Sequence, residues 1–531
     1  MFDTFWMGLL WYAPCVGAAL AAKGLIHTFQ LSSYQFQGYF TSLQRRWKQE
    51  LLPGLVFAAA ALLLTWLGDR LARSGGAGWL LAAAVLIAGA GFAVGKLSHR
   101  RKLSVRPLQY TPRVKRLFGW LLVVLLALGW LLRKVLPVMG ASALLPLLLP
   151  VWMALGAAFA WPLEAGVKGL YQHDAKRILL GREGLVRIGI TGSYGKTSVK
   201  FFLETLLRQR HSVLATRRSF NTPMGVTRSI REDLQPAHRV FIAEMGARHR
   251  RDIKDLVRFV QPQIGILTAV GPQHLETFGS LERVRDTKYD LIRALPKDGY
   301  AVFWNDEGIV KGLWEKTDLP KALVGSPGDD LWAEDVVLGY EGMHFTLCLK
   351  DGTRLPCETP VCGEHNIRNI LLAAAVARHL KLSDAQLRRG IAQLRPIEAR
   401  LEAKEQPDGS VVINNGFNAN PESSRASLEF LSNYAGRKIV ITPGFVELGP
   451  LEKEYHLKLG EHIAQAADLV LLVGPKRTQP IREGLLGAGF KEQSIQSFKT
   501  LKEAQAYLDT IRQAGDIILY ENDLPDQYTE G

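Results

Sequence analysis

The stretch GITGSYGKTSVKFFLETLLRQ, residues 189–209, runs from a short apolar segment through a glycine-containing loop into a helical pattern. Gly192 and Gly195 let the backbone of such a loop approach an anion closely, and the N-terminus of the following helix adds positive potential. Lys196 can reach the terminal phosphates of a nucleotide, and Thr197 can offer a hydroxyl to Mg²⁺. The spacing therefore predicts a loop that binds the phosphates of a nucleotide.

The match to the strict P-loop pattern is incomplete, because Ile190 stands at its first glycine position. The order strand, Thr-Gly-x-x-Gly-Lys-Thr, helix is still specific for phosphate binding, and a chance loop is the alternative. We expect Ser193 and Ser198 to complete the contacts of this loop with the nucleotide.

The elements that must hold the loop are those of a parallel α/β sheet. From Gly184 onward, short β-rich runs such as LVRIGI and VFIAEMG alternate with amphipathic stretches. A second pattern of this kind begins near Leu401 with SVVIN and KIVITPG. We predict a P-loop-type parallel-sheet ATPase domain over 184–395 and a C-terminal Rossmann-like α/β domain over 396–531.

Roughly 165 mostly apolar residues precede the loop, and they contain five apolar runs, most of which approach the ~20 residues that cross a bilayer. The runs cover about 5–26, 51–68, 77–95, 117–132 and 141–163. The run LVFAAAALLLTWLG has no polar face at the helical period, which argues against the alternative of a soluble helical domain. We expect an α-helical transmembrane region of about five helices over residues 1–166, in contact with a lipid bilayer.

Basic residues determine the expected orientation, because connections rich in Lys and Arg stay on the cytoplasmic side. The connection from Lys96 to Arg116 is densely basic, and an earlier one contains Arg45, Arg46 and Lys48. Five spans would place the N-terminus outside and the chain after residue 166 in the cytoplasm, where ATP is. We therefore expect a multi-pass protein of a bacterial-type cytoplasmic membrane.

The overall charge limits the kinds of molecule that the protein is expected to bind. The chain has 531 residues and a formal net charge of +15 at pH 7, which is typical of proteins that bind membranes, phosphorylated ligands or nucleic acids. No nucleic-acid motif accompanies the charge, so we expect no nucleic-acid partner. The four cysteines lack the spacing of a metal site or a disulfide scaffold, which excludes a disulfide-rich secreted domain.

The motif TGSYGKTSVK, followed in order by FNTPMGV, VFIAEMGA, GPQHLETFGS, VRDTKYDLI and GEHNIRN, resembles the Mur ligase family. The likeness runs from about residue 184 to 531 and is greatest to the branch that adds D-alanyl-D-alanine to a muramoyl tripeptide. It implies an ATP-dependent amide-forming enzyme of cell-wall synthesis that uses ATP and Mg²⁺.

The resemblance also implies roles for single residues. Asn221 would lie near the phosphates, Glu244 would bind magnesium, and His274 would contact a second metal or an acyl phosphate. Lys288 corresponds to the family lysine that CO₂ carbamylates, and an ordinary exposed lysine is the alternative. Arg400 corresponds to the family arginine that reaches the γ-phosphate from the C-terminal domain. On the nucleotide side the resemblance implies contacts from Asn305, Asp306, His365, Asn366 and Asn369.

The chain departs from the family pattern at three places. In TPGFVELG, residues 442–449, Glu447 and the later His456 match the family pattern, but the family's Gly-Asp pair is absent. In INNGFNANPESS, Asn414 and Asn415 replace a pair of aspartates and Phe417 replaces a tyrosine, which removes two carboxylates. The family's N-terminal domain, which binds the UDP-muramoyl portion, is not recognisable, and the apolar runs stand in its place.

We therefore expect a membrane-anchored ligase that adds an amino acid or dipeptide to a cell-envelope precursor, UDP-linked or lipid-linked, through an acyl phosphate. A ligase of the poly-γ-glutamate type is one alternative. A non-catalytic membrane scaffold that binds nucleotide is another, and the replacements at Asn414 and Asn415 motivate it.

Overall fold

The computed structural model describes residues 2–32, 34–45, 47–75, 78–100, 107–339, 342–397, 401–416 and 420–522. The chain separates into two compact units, a first one up to Gly169 and a second one from Leu170.

The first unit consists of helices, and the last of them ends within the second unit. Their bounds are α1 (Phe2–Ala21), α2 (Lys23–Leu31), α3 (Phe36–Arg45), α4 (Trp47–Gly75), α5 (Gly78–Arg100), α6 (Pro112–Leu132), α7 (Val138–Leu147) and α8 (Leu149–Leu180). Helices α1 and α5 approach closely at glycines, since a Cβ atom on Gly91 would lie 2.1 Å from the carbonyl oxygen of Gly17. Small residues allow such contacts between helices in membrane proteins.

Three helices among the described residues are long and apolar enough to cross a bilayer. They are Glu50–Arg73, Trp79–Leu97 and Pro112–Leu132. These helices coincide with the second, third and fourth predicted runs. The runs at 5–26 and 141–163 are each divided between two helices, at Ala22 and at Leu148. The described part of the chain thus contains three helices of spanning length and composition, against the five that the apolar runs predict.

The second unit contains two α/β domains, and the first of them is built on a nine-stranded sheet. Its strands are β1 (Val186–Thr191), β2 (Val213–Ala215), β3 (Val240–Glu244), β4 (Ile264–Leu267), β5 (Tyr300–Trp304), β6 (Lys321–Gly325), β7 (Leu331–Leu338), β8 (Met343–Leu349) and β9 (Arg354–Thr359). Its helices are α9 (Lys196–Leu207), α10 (Pro223–Asp233), α11 (Asp252–Val260), α12 (Leu275–Phe278), α13 (Leu281–Arg293), α14 (Ile309–Glu315), α15 (His365–His379) and α16 (Asp384–Ala392).

The strand order of this sheet is β2-β3-β1-β4-β5-β6-β7-β8-β9. All pairs from β2 to β7 are parallel, whereas β7, β8 and β9 pair antiparallel. Strand β1 lies between β3 and β4, so the loop after β1 emerges beside the carboxyl end of β3, where parallel α/β sheets bind ligands. In the register of the two strands, Ile190 is paired with Glu244.

The C-terminal domain is built on a six-stranded sheet of order β10-β11-β15-β12-β13-β14, with only β10 antiparallel to its neighbour. Its strands are β10 (Glu402–Glu405), β11 (Val411–Asn415), β12 (Lys438–Thr442), β13 (Leu469–Val473), β14 (Ile495–Phe498) and β15 (Ile517–Glu521). Its helices are α17 (Pro421–Ser432), α18 (Glu452–Ala466), α19 (Gln479–Gly487) and α20 (Leu501–Ile511).

Apolar side chains are buried on both faces of each sheet. This burial explains why the strands are near-continuous apolar runs. The predicted parallel α/β sheets are confirmed, and the antiparallel strands β7–β9 are an addition that the sequence pattern did not predict.

Candidate active site

The predicted phosphate loop connects β1 to α9. Gly195 precedes the helix with φ +79°, and a Cβ atom there would lie 2.5 Å from Oδ1 of Asn369. A Cβ atom on Gly192 would lie 1.9 Å from Oγ1 of Thr268. Ser193 ties the loop to the next crossover, since its hydroxyl donates to the carbonyl of Gly271 at 2.9 Å. Gly192 and Gly195 therefore have no room for a side chain, and the hydrogen bond of Ser193 restrains the loop.

Two lysines converge on this loop. Lys196 Nζ donates to the carbonyl of Gly192 at 2.6 Å and to that of Ser193 at 3.0 Å. Lys288, on α13, donates to the same Gly192 carbonyl at 2.9 Å and is almost completely buried. Burial lowers the pKa of Lys288 well below its ordinary value, and the charge of Lys196 lowers it further. The loop thus gathers two amines where a phosphate chain would bind.

Glu244 lies at the carboxyl end of β3 beside the first turn of α9. Its Oε1 accepts from the hydroxyl of Thr197 and from the amide of Asn221, both at 3.2 Å. Its Oε2 accepts from Lys200 Nζ at 3.1 Å, and both side chains of this ion pair are buried. The sequence prediction missed Lys200. The sequence did contain a signal for Lys200, because it follows Thr197 by one helical turn and therefore lies on the same face of α9.

The pair of Thr197 and Glu244 fits a magnesium ion. A hydroxyl and a carboxylate oxygen lie together, and both are ligand types that this hard cation binds. Within the described ranges, no group of three His, Cys, Asp or Glu side chains is arranged to hold a metal ion. The remaining ligands would therefore be water and phosphate oxygens, which Mg²⁺ commonly keeps.

His274 lies just before α12, and its ring contacts the C-terminal domain. Its Nδ1 is hydrogen-bonded to Oε2 of Glu447, which follows β12. Burial lowers the pKa of His274 below its ordinary value, whereas Glu447 acts in the opposite direction and Lys288 adds to the lowering. The predicted role of His274 at a metal or an acyl phosphate stays a prediction.

Asn305 and Asp306 follow β5 and stabilise the turn that leads to α14. The amide of Asn305 donates to both carboxylate oxygens of Asp329, at 3.2 and 3.0 Å. The carboxylate of Asp306 accepts from the backbone N–H groups of Gly308 and Val310, at 2.9 and 3.0 Å. These contacts give both residues a local structural function, and their contact with the base stays a prediction.

His365, Asn366 and Asn369 lie together in the first turns of α15. The amide of Asn369 donates to Oδ1 of Asn366 at 3.0 Å, and Asn366 donates to the carbonyl of Cys362 at 2.8 Å. Oδ1 of Asn369 is buried and has no hydrogen-bond partner among the described residues. Because this oxygen also faces Gly195, it is placed to accept a hydrogen bond beside the phosphate loop.

The structure describes only some of the candidate residues of the C-terminal domain. Arg400, Phe417 and Asn418 lie outside the described residues. Asn414 accepts from the backbone N–H of Gly416 at 2.9 Å, whereas Asn415 donates to both carboxylate oxygens of Glu521, at 3.2 and 3.0 Å.

Glu521, at the end of β15, is a buried carboxylate that the sequence prediction missed. The hydroxyls of Ser424 and Ser427 donate to its two oxygens in addition to Asn415. Burial raises the pKa of Glu521 above its ordinary value, and these three hydrogen bonds act against the shift. A carboxylate from β15 therefore lies beside the asparagines that replace the two family aspartates.

Comparison with known proteins identifies the second unit. The Mur ligase middle domain matches residues 190–377, and the Mur ligase glutamate ligase domain matches residues 399–520. The chain belongs to the Mur ligase family. It is an ATP-dependent acid–amino-acid ligase of that type, which confirms the resemblance seen in its motifs.

Similar proteins with a recorded activity include two bacterial ligases. The UDP-N-acetylmuramoyl-tripeptide--D-alanyl-D-alanine ligase of Bacillus subtilis is 27% identical over 338 residues, which are 63% of this chain and 72% of that enzyme. The enzyme of the same name from Synechocystis is 30% identical over 341 residues, 63% of this chain and 71% of that one.

Solved structures show the same fold. A crystal structure of MurF from Acinetobacter baumannii is 26% identical with a TM-score of 0.61, covering 68% of this chain and 78% of that one. A MurF ligase from Thermotoga maritima in complex with ADP is 24% identical with a TM-score of 0.60, covering 68% and 81%. Mur ligases use ATP and Mg²⁺, in agreement with the residues around the phosphate loop. Both family matches begin after the helical first unit.

Proposed function

We propose that this Mur ligase is a membrane-anchored enzyme that joins an amino acid or a dipeptide to a peptide-bearing precursor of the cell envelope. The observation that carries the proposal is the convergence of Lys196 and Lys288 on one carbonyl, beside the pair that Thr197 of α9 forms with Glu244 at the end of β3. The names of the relatives, which add D-alanyl-D-alanine to a UDP-muramoyl tripeptide, support this class of substrate.

The reaction would proceed in two displacements. A carboxylate oxygen of the precursor forms a bond to the γ-phosphorus of ATP as the bond to ADP breaks, which gives an acyl phosphate. The amine nitrogen of the second substrate then bonds to the acyl carbon, inorganic phosphate leaves with its oxygen, and the nitrogen loses a proton. Magnesium supplies charge neutralisation for the phosphates.

The residues of the chain stabilise the negative charge that this sequence brings together. Lys196 places its ammonium group on the phosphate loop, and Glu244 with Thr197 would hold the magnesium ion beside it. Fixed cations and dipoles of this kind usually make the largest contribution to catalysis. Arg400 would add a guanidinium from the C-terminal domain, as the family resemblance implies.

We also propose that Lys288 is carbamylated. Its depressed pKa favours the neutral amine, the form that bonds to the carbon of CO₂ and releases one proton. The product is an anion at the end of a buried side chain beside Gly192. Carbon-13 NMR of the protein with labelled bicarbonate would show a carbamate signal that is absent from K288A, and equal spectra would exclude the modification.

The first unit would anchor the enzyme through five crossings, three by the helices of spanning length and two by the apolar runs at 5–26 and 141–163. The two crossings after Arg116 would return the chain to the cytoplasm, where ATP is. The dense basic connection between Lys96 and Arg116 would face the cytoplasm and the phosphate-rich membrane surface. This arrangement supports a lipid-linked precursor, because the same membrane would then hold the enzyme and its substrate.

The test is ATP-dependent phosphate release by the full-length protein in nanodiscs. Each amine, D-alanyl-D-alanine or a single amino acid such as glutamate, is offered with a UDP-linked or a lipid-linked peptide precursor. We expect amine-dependent release that K196A lowers at least about 100-fold, whereas the exposed K254A leaves it unchanged. Release at the same rate in the wild type and K196A, or none with any pair of substrates, would show that the proposed function is wrong.

Turnover with glutamate as the sole amine and growing chain length would support the poly-γ-glutamate alternative. Turnover only with the lipid-linked precursor would give the first unit a role in substrate access beyond anchoring.

A further inference from the structure

Glu447 of the C-terminal domain is bound by three groups of the ATP-binding domain. Its Oε2 accepts a hydrogen bond from Nδ1 of His274, and its Oε1 lies 3.5 Å from the guanidinium of Arg248. Its backbone carbonyl accepts from the N–H of Glu276 at 3.3 Å. One residue therefore makes side-chain and main-chain contacts across the boundary between the two α/β domains.

The backbone at both ends of this contact is unusual. His274 has φ +54° and Glu447 has φ +65°, although neither is a glycine. Residues other than glycine rarely adopt this left-handed conformation, and they persist in it where the surrounding structure imposes it, often at functional sites. His274 and Glu447 are each only about one-seventh exposed, at 13% and 14% of the side chain.

The chemistry of the pair assigns the imidazole hydrogen. An ionised carboxylate can only accept a hydrogen bond, so Nδ1 of His274 must carry the proton that faces Glu447. The other ring nitrogen, Nε2, then points away from the carboxylate. Carboxylates that contact a functional histidine in this way fix its tautomer and ring orientation.

We infer that Glu447 is a positioning residue, which orients His274 toward the reacting phosphate only when the C-terminal domain has closed on the ATP-binding domain. The inference rests on the proposed function, because that function supplies the phosphate that His274 would contact. Arg248 strengthens the same contact and holds the second oxygen of the carboxylate.

The kinetic test compares E447A, which has no acceptor, with E447Q, which keeps an acceptor oxygen but no charge. We expect E447A to lower kcat about 10- to 100-fold with the KM for ATP changed less than about threefold, and E447Q to recover part of the loss. E454A, at an exposed glutamate of the same domain, is the matched control. Wild-type kcat in E447A, or an equal change in kcat and KM, would overturn the inference.

A double-mutant cycle separates positioning from a general structural effect. On an H274A background, E447A should change kcat less than about twofold, because the imidazole through which it acts is gone. Losses that multiply instead would show that Glu447 acts independently of His274, and would overturn the inference.

Hydrogen exchange tests the contact without catalysis. In the full-length protein with ADP, the amide of Glu276 should be protected in the wild type and exchange faster in E447A, while the amides of β5 stay unchanged. Equal protection in both proteins would overturn the inference. If the wild type releases no phosphate, the proposed function is wrong. The exchange comparison then still tests whether Glu447 maintains the contact with Glu276.

Discussion

The two α/β domains each bury a glutamate at the carboxyl end of a strand, but they neutralise it differently. Glu244 in the ATP-binding domain has a buried cation, Lys200, besides its two neutral donors. Glu521 in the C-terminal domain has three neutral donors, namely Asn415, Ser424 and Ser427. Glu244 thus faces a buried positive charge, whereas the donors to Glu521 are neutral and burial raises the pKa of Glu521.

The two α/β domains also differ in the charged residues that their motifs keep. The motifs of the ATP-binding domain keep their ionisable residues, and the fold gathers them around the phosphate loop. In the C-terminal domain the two family aspartates are asparagines, and the carboxylate beside them comes from β15 and accepts hydrogen bonds from α17 and β11. Glu521 therefore connects β15 to β11 and α17, whereas Glu244 lies beside the phosphate loop in contact with Thr197.

The largest expected effect is at Glu244. E244Q leaves the Lys200 ammonium buried without its anion, and removing one partner of a buried ion pair typically costs about 3–5 kcal/mol. Thermal unfolding of the full-length protein in detergent should show a large fall in Tm. The double variant E244Q/K200M should recover part of that fall, because no charge remains.

The control for this change is E232Q, which removes an exposed carboxylate paired with Arg217 and Arg228. Exposed pairs contribute about 0–1 kcal/mol, so its Tm should stay close to that of the wild type. An E244Q protein as stable as E232Q would contradict the assigned role of the buried pair.

A smaller effect is expected when the family carboxylate is restored. Asn415 pairs directly with Glu521 in the register of β11 and β15, so N415D replaces a donor with a second buried carboxylate. Leaving a buried acceptor without its donor costs about 1–3 kcal/mol. The loss of Tm should shrink as the pH is lowered, because one carboxyl of the pair is then protonated.

The Tm lost in N415D should be recovered by adding E521Q, because the double variant N415D/E521Q again carries one carboxyl and one amide. Recovery of Tm in that double variant would confirm the coupling of the two positions. If N415D at pH 8 has the Tm of the wild type, the site accepts two carboxylates. That result would contradict the expected cost of replacing Asn415.

The smallest effect is expected for E521Q alone. Because the pKa of Glu521 is raised on folding, its protonated form favours the folded state. That contribution is complete below the pKa of the unfolded chain and is lost as the pH rises through the raised pKa. Relative to the wild type, E521Q should therefore gain stability with rising pH. A Tm difference that is independent of pH would contradict the raised pKa.

Much of the ATP-binding domain could be predicted from the sequence because its signals are local. The glycines, Lys196 and Thr197 lie within a few residues of each other, and the apolar strand before Glu244 indicates its buried position. The apolar runs of the first unit were equally visible, but the expectation treated each of them as one helix. Leu148, where one run is divided, lies between Pro146 and Pro150, and Ala22, where another is divided, is followed by Lys23 and Gly24. Proline and glycine are the usual helix-breaking signals, and apolar length alone does not take them into account.

By itself, the sequence determined the phosphate loop, the two regions in which strands alternate with helices, and the family, since periodicity and short motifs encode these features. Only the tertiary structure decided which distant residues meet. Lys200 with Glu244, His274 with Glu447, and Asn415 with Glu521 are 44, 173 and 106 residues apart in the chain. Such pairs depend on strand order and on the contact between domains, and no local pattern specifies either of them.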